Sequence, residues 1–434
     1  MKGTIMRRTT VIAALAAVGL TLSACGDDGE STSGDGNGNG GGEVEVFTWW
    51  AEGSEKAGLD ALVEVFQEQH PDYEFVNGAV AGGAGSNAKN VLASRLQTND
   101  PPETFQAHAG AELTDYIEAN QVQDISNLYD ENGWSDVFPE DLLELLTVDG
   151  AIYSVPSNIH RANVVWANPT VLEQAGIDPA TPPASLDEWF TQLDAVQASG
   201  ATALSIGTDW TQVHLLETVL LADLGPEAYI GLWDGSTDWA SPEVEAALDD
   251  YAKLLEYTNT DRQNLDWPDA TQQIIDGKAA YNVMGDWAEA AFQEQQQKFG
   301  TDYVAFPVPG TDGVFDFLAD SFTLPVGDIN TGGTEAWLDT IASPEGQKAF
   351  NLAKGSIPAR TDVDASEYPE YQQTAIESFA NDTIVPSLAH GAATPVAWLD
   401  AVTQAVSRFS ANGNVDDLKS GLADAAANNL QQEG

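Results

Sequence analysis

Two adjacent tryptophans in "VFTWW" (Trp49, Trp50), a third in "MGDW" (Trp287), and the polar side chains of Gln106, His108, Asp320, Lys354 and His390 are where this chain could do chemistry. Flat apolar rings stack on the C–H face of a pyranose, while carboxylates, amides, imidazoles and an ammonium group hydrogen-bond its hydroxyl rim. That chemistry is recognition without turnover. A tryptophan's ordinary role is core packing, so the pair at a strand end is expected to split: Trp49 in the core, Trp50 in a cleft, on opposite faces of an alternating strand.

Other chemistries find less support. The histidines, His70, His108, His160, His214 and His390, form no H-E-x-x-H pattern, and no cysteine stands near them, so no zinc site is expected. His108, two residues beyond Gln106, suits hydroxyl recognition because a neutral imidazole both donates and accepts. There is no G-x-S-x-G nucleophile elbow. A glycosidase needs only two carboxylates, and 68 acidic residues would supply any number of pairs, so a secreted hydrolase stays open as the enzymatic alternative. "VAGGAGSNAKN" lacks the Gly-Lys-Ser/Thr ending of a phosphate loop; it reads as a turn where backbone passes close to a neighbour or ligand, and no cofactor is expected.

The elements that must position these residues follow from periodicity. "EVEVFTWW" reads as a strand, and the helix after it carries Leu59, Leu62, Val63 and Phe66 on one face. "YEFVNGAV", "SNAKNVLASRLQTND" and "ETFQAHAG" continue a β-α-β-α-β run. Right-handed crossovers make these strands parallel, so the tryptophan pair, the glycine-rich turn and "QAHAG" share one sheet edge, where open α/β sheets bind ligands. "AIYSVPSNIHRANVVWANP" is extended, "SLDEWFTQLDAVQASG" is a helix capped by Gly200, and helix dominates from "SPEVEAALDDYAK" until the strand "DYVAFPVPG". The class is α/β, with "SVPSN" and "FPVPG" expected to cross between two parts.

Ahead of the folded body, Lys2, Arg7 and Arg8 precede an apolar run that ends in "LSAC" at Cys25, the chain's one cysteine. Residues 1–24 read as a signal peptide. Cys25 sits in a pattern that resembles the bacterial lipobox, with residues 25–42 as a lipidated cysteine and flexible Gly/Ser/Asp tether. The body is expected outside the cell, held at the membrane by its lipid. With 16 basic residues and a net charge of −52, binding to nucleic acid by phosphate neutralisation is excluded. Acids spread along the whole chain suggest a salt-rich habitat, where screening relieves self-repulsion.

The residues also resemble a known family, the extracellular solute-binding proteins of carbohydrate ABC importers, and within it the bacterial glucose-binding proteins. "WWAEGSEKAGLDALV", "GGAGSNAKNVLASRL", "DPPETFQAHAGAEL", "SVPSNIHRANVVWANP", "GKAAYNVMGDWA" and "AKGSIPAR" carry the resemblance over nearly the whole chain after the tether. It implies a two-lobed clamp of the periplasmic binding protein (Venus flytrap) type, each lobe a sheet flanked by helices, with hinge strands between. Lobe one would span residues 43–155 and about 308–360, lobe two 156–307 and about 361–434. The resemblance implies a monomer that captures a monosaccharide, glucose first, and passes it to a membrane permease without catalysis. Trp287 would be the stacking platform, Trp50 and Trp49 would close the other side, and Gln106, His108, Asp320, Lys354 and His390 would bond the hydroxyls. Glu55 is a further candidate, with Glu52 competing for its place. An amino-acid or peptide binder of the same fold is the alternative ligand class; it would want a cation such as Arg161 in the cleft.

Overall fold

The computed structural model describes residues 41–82 and 85–430. The signal peptide, Cys25 and most of the tether lie outside the described residues. Among those described, no helix is long and apolar enough to cross a membrane.

Strand β1 (Gly42–Phe47), the helix Gly53–Gln69, β2 (Tyr73–Asn77), the helix Ser86–Gln97 and β3 (Thr104–His108) form the expected β-α-β-α-β run. β2 and β3 both pair with β1 in parallel. Leu59, Leu62 and Phe66 are buried on one face of the first helix, as a 3.6-residue repeat requires. Short strands follow: β4 (Thr147–Val148), β5 (Ala151–Ile152), β6 (Ser154–Pro156), β7 (His160–Arg161), β8 (Val164–Ala167) and β9 (Thr202–Ser205). Beyond the helical middle come β10 (Ala279–Val283), β11 (Val304–Pro307), β12 (Val314–Leu318), β13 (Asp320–Thr323) and β14 (Thr383–Pro386).

Apart from β4 and β5, which pair only with each other, these strands build one sheet per lobe and a bridge. The first lobe's sheet has the order β2-β1-β3-β13-β6, and the second lobe's β11-β8-β10-β9. Between them lies a three-stranded sheet, β14-β12-β7. The chain passes from the first sheet through the bridge into the second along β6, β7 and β8, and returns along β11, β12 and β13. "SVPSN" and "FPVPG" fall on these two passages. A third runs from the helix Pro344–Lys354 to β14. The helix Leu186–Ser199 starts at a Ser185 side-chain cap and stops at Gly200, whose φ of 92° few other residues adopt at low cost.

Candidate functional site

The strand ends converge on a cavity of about 230 Å³ walled by both lobes. Trp49, Trp50, Glu52, Glu55, His108, Asp320 and Lys354 line it from the first lobe, and Trp287 and His390 from the second.

The tryptophan pair departs from expectation. β1 ends at Phe47, so strand alternation stops before the pair. Gln106 shapes the turn that follows: its Oε1 accepts from the Thr48 hydroxyl and from the Trp49 N–H at 3.3 Å. This swings Trp50 inward, 1% exposed, with its ring 4.5 Å from that of Phe350 and 5.4 Å from that of Phe322. Trp49 instead lies 4.9 Å from the His108 ring, with the Lys89 ammonium over it. The roles therefore reverse: Trp50 is the more core-bound, Trp49 the more cleft-bound. Trp50→Ala is expected to cost about 3–5 kcal/mol of stability, as large aromatic truncations in cores do, while Trp49→Ala tilts toward lost affinity. Urea unfolding and calorimetry on both variants check this; equal stability losses would contradict it. Gly85 matters here too, because a Cβ on it would lie 2.9 Å from the Trp49 ring. The glycine-rich turn serves close approach.

Gln106 is also corrected. It does not line the cavity; with Oε1 on the tryptophan turn, its Nε2 donates to Asp320 Oδ1 at 2.7 Å, so it positions other groups and does not face a ligand.

Asp320, at the start of β13, is the best-organised polar group. Asn158 Nδ2 donates to its Oδ2 at 2.9 Å, and His108 Nε2 and His160 Nε2 stand 3.5 and 3.6 Å from its oxygens. Burial alone would raise its pKa, yet His108, His160, Lys354 and the Asn158 amide hold the carboxyl below the usual range. An ionised, oriented acceptor is thus ready at the wall. Lys354, the last residue of its helix, has its ammonium 3.7 Å from Glu55 Oε1 and 5.7 Å from the Trp287 ring centre. Burial pushes Glu55 up to about 7, against the pull of Lys354. Glu55 is the partly buried member at the wall and Glu52 the exposed one.

His108 is fixed from behind. Its Nδ1 lies 2.7 Å from Glu112 Oε2, and that oxygen also accepts from Lys89 at 2.7 Å. Glu112 is buried, which would raise its pKa, but Lys89 and His108 outweigh burial and draw it down to about 2. A carboxylate with a depressed folded pKa stabilises the protein above its unfolded pKa and loses that contribution as pH falls. The extra stability of wild type over Glu112→Gln is therefore expected to be full above about pH 4.5 and to vanish toward about pH 2. Its size should be on the order of 2–3 kcal/mol. Urea unfolding of both proteins between about pH 3 and pH 7 measures it; a difference that does not change with pH would contradict it.

Trp287 is the middle residue of the short 3₁₀ turn Asp286–Ala288, and its ring is steeply inclined to those of two histidines of the wall, 5.1 Å from His160 and 5.1 Å from His390. Its ring folds over Gly285, where a Cβ would lie 2.1 Å away. His160, Trp210, Asp266, Trp267, Pro268, Asp269 and Leu318 line the same cavity and were missed. Asp266 was the most legible of these: "DWPDA" places an acid ahead of a helix, and its Oδ1 accepts from the Trp267 N–H at 2.8 Å and Trp210 Nε1 at 3.1 Å. His160 is tied by Nδ1 to buried Asp286 and accepts from Asn158 at Nε2, 2.8 Å away. Arg161 turns away, to Asn163, Ser378 and the Val314 carbonyl. Arg161 is therefore not among the residues that line this cavity, and Lys354 is the cation at its wall.

Residues 50–348 match the family described as bacterial extracellular solute-binding proteins. The chain is 32% identical over 418 residues to an uncharacterised ABC transporter extracellular-binding protein of Pyrococcus horikoshii, covering 95% of this chain and 94% of that one. It is 31% identical over 364 residues to the xylose/arabinose-binding protein of Haloferax volcanii, covering 81% and 78%. Among solved structures, the bacterial solute receptor AcbH, described as having an exclusive preference for β-D-galactopyranose, superposes with a TM-score of 0.78. It is 17% identical, with 91% of this chain and 100% of that one covered.

Proposed function

The chain belongs to the bacterial extracellular solute-binding proteins, the sugar-capturing components of ABC importers, and from that premise we propose that its ligand is a single monosaccharide, with glucose the first candidate. The observation that carries this reading is the cavity itself. It joins the Trp287 ring to the oriented groups of Asp320, His108 and Lys354, an arrangement suited to stacking one pyranose and bonding its hydroxyls. About 230 Å³ is below the roughly 300–1,000 Å³ of sites for drug-sized ligands, which favours one sugar ring over a chain of them. The relative named for xylose and arabinose keeps a pentose as the second candidate.

In this reading lobe one comprises residues 43–155 and about 308–360, and lobe two 156–307 and about 361–434. Stacking on Trp287 and bonding to Asp320 then engages both lobes at once. Only such a ligand has differential affinity for the closed form and can shift the population toward it. Closure presents the loaded protein to the permease. The body works as a monomer held at the membrane through lipid on Cys25, and its acidic surface suits a salt-rich medium.

A calorimetric panel of glucose, galactose, mannose, xylose, arabinose, maltose and an amino acid, run at high salt, tests the assignment. Tightest saturable binding to one monosaccharide at one site per chain is expected; tighter binding of maltose or of the amino acid would overturn it.

A further inference from the structure

Beside Trp287 lies a second cluster, which shares His390 with the cavity wall. His214 and Glu217 stand three residues apart on the helix Asp209–Asp234, a spacing that puts both side chains on one face. His390 reaches them from the loop after β14. All three are buried, and one ligand atom from each lies within 4.8 Å of the others.

The hydrogen bonds define what these atoms offer. His214 Nε2 is 2.9 Å from the Ala162 carbonyl oxygen, which can only accept, so Nε2 carries the hydrogen and Nδ1 presents a lone pair. That Nδ1 has no hydrogen-bond partner and lies 3.7 Å from Glu217 Oε1. His390 Nδ1 is 3.9 Å from the same oxygen and 2.8 Å from the Ser387 hydroxyl, which has to turn aside for that nitrogen to take a metal. Oε2 accepts from the Ala389 N–H at 2.8 Å, and the Ser387 hydroxyl is within reach of both carboxylate oxygens, 3.0 Å from Oε2 and 3.2 Å from Oε1. The carboxylate is thereby oriented from outside the cluster, as ligating carboxylates are.

We propose that His214, Glu217 and His390 hold one divalent transition-metal ion of the zinc class. Two imidazole nitrogens and one carboxylate oxygen are the donor set such ions take in four-coordinate sites with one open position. Metal–ligand bonds of about 2.0–2.2 Å place tetrahedral ligand atoms roughly 3.3–3.5 Å apart. The observed 3.7 and 3.9 Å to Glu217 need to close by a few tenths of an ångström, and the widest separation within the trio, up to 4.8 Å, by more, through rotation of both imidazoles and of the Ser387 hydroxyl. Bound there, the ion pins the loop carrying Ser387 and His390 to the helix carrying His214. It also stiffens the support of Trp287, whose ring centre is 5.9 Å from that of His214 and 5.1 Å from that of His390. With Nδ1 of His390 on the metal, the hydrogen sits on Nε2, making that nitrogen a donor. The site does not depend on which sugar the neighbouring cavity takes, or on whether it takes one.

The test uses the full purified chain after treatment with a chelator, titrated with Zn²⁺ alone by calorimetry and with Co²⁺ by visible absorption. One equivalent of Zn²⁺ and intense tetrahedral-type Co²⁺ bands are expected, with Zn²⁺ affinity falling at least about tenfold in both His214→Gln and Glu217→Gln. Surface carboxylates are the competing explanation in a chain with 68 acidic residues. They would give weak uptake of several equivalents and only faint octahedral Co²⁺ bands, and that result would overturn the proposal. So would Zn²⁺ binding that both variants retain. The wild-type Co²⁺ spectrum decides the matter even if a variant fails to fold.

Discussion

Trp287→Ala is expected to abolish saturable sugar binding at accessible concentrations while leaving a folded protein. The ring lines the cavity together with Trp210 and Trp267, and it stands steeply inclined to the rings of His160 and His390, 5.1 Å from each. Truncating an aromatic anchor in a desolvated pocket costs at least about 2 kcal/mol and up to about 4 or more, a loss of roughly thirtyfold to a thousandfold in affinity. The loss should also weaken closure, because a sugar with fewer contacts to the second lobe favours the closed form less. Trp287→Phe, which keeps a smaller face, should recover part of the affinity. Calorimetry on both variants is the check, and near-native affinity in the alanine variant would contradict the assignment.

Asp320→Asn is expected to have the second largest effect, at least about a hundredfold in sugar affinity, with a measurable loss of stability. The carboxylate accepts from Gln106 Nε2 at 2.7 Å and from Asn158 Nδ2 at 2.9 Å. An amide in its place must turn an NH₂ group toward one of those donors, and a buried donor left without an acceptor costs about 1–3 kcal/mol. It also removes the charge that strengthens any sugar hydroxyl bond. Asp269→Asn, at an exposed residue of the same wall, is the comparison and should leave affinity nearly unchanged. Equal effects of the two substitutions would contradict the role given to Asp320.

Much of the first lobe was legible because its signals are local. Leu59, Leu62 and Phe66 recur at helical spacing, and parallel crossovers force the ends of β1, β2 and β3 to one edge, where Trp49, Gly85 and His108 indeed meet. The insertion of β13 beside β3 was not legible, since the pairing of Asp320 with His108 spans about half of the chain and leaves no periodic trace. The reversal at Trp49 and Trp50 has the same origin. Their orientation is set by the Gln106 amide from the neighbouring strand, and the pair's own spacing cannot show that β1 stops at Phe47. Among the residues missed at the cavity, His160 was visible in "SNIHR", but its place depends on Asp286, far along the chain. The cluster of His214, Glu217 and His390 escaped for a related reason: two members lie three apart on a helix, yet the third is supplied only by the fold.

The central claim is that a monosaccharide sits in the cavity between Trp287 and the first lobe, and a crystal structure of the protein grown with the tightest-binding sugar of the panel tests it most directly. The account predicts a single pyranose with a C–H face at van der Waals distance from the Trp287 ring and hydroxyls within hydrogen-bond reach of Asp320 and Lys354. Sugar bound elsewhere on the protein, or a sugar in the cavity touching neither Trp287 nor Asp320, would contradict it.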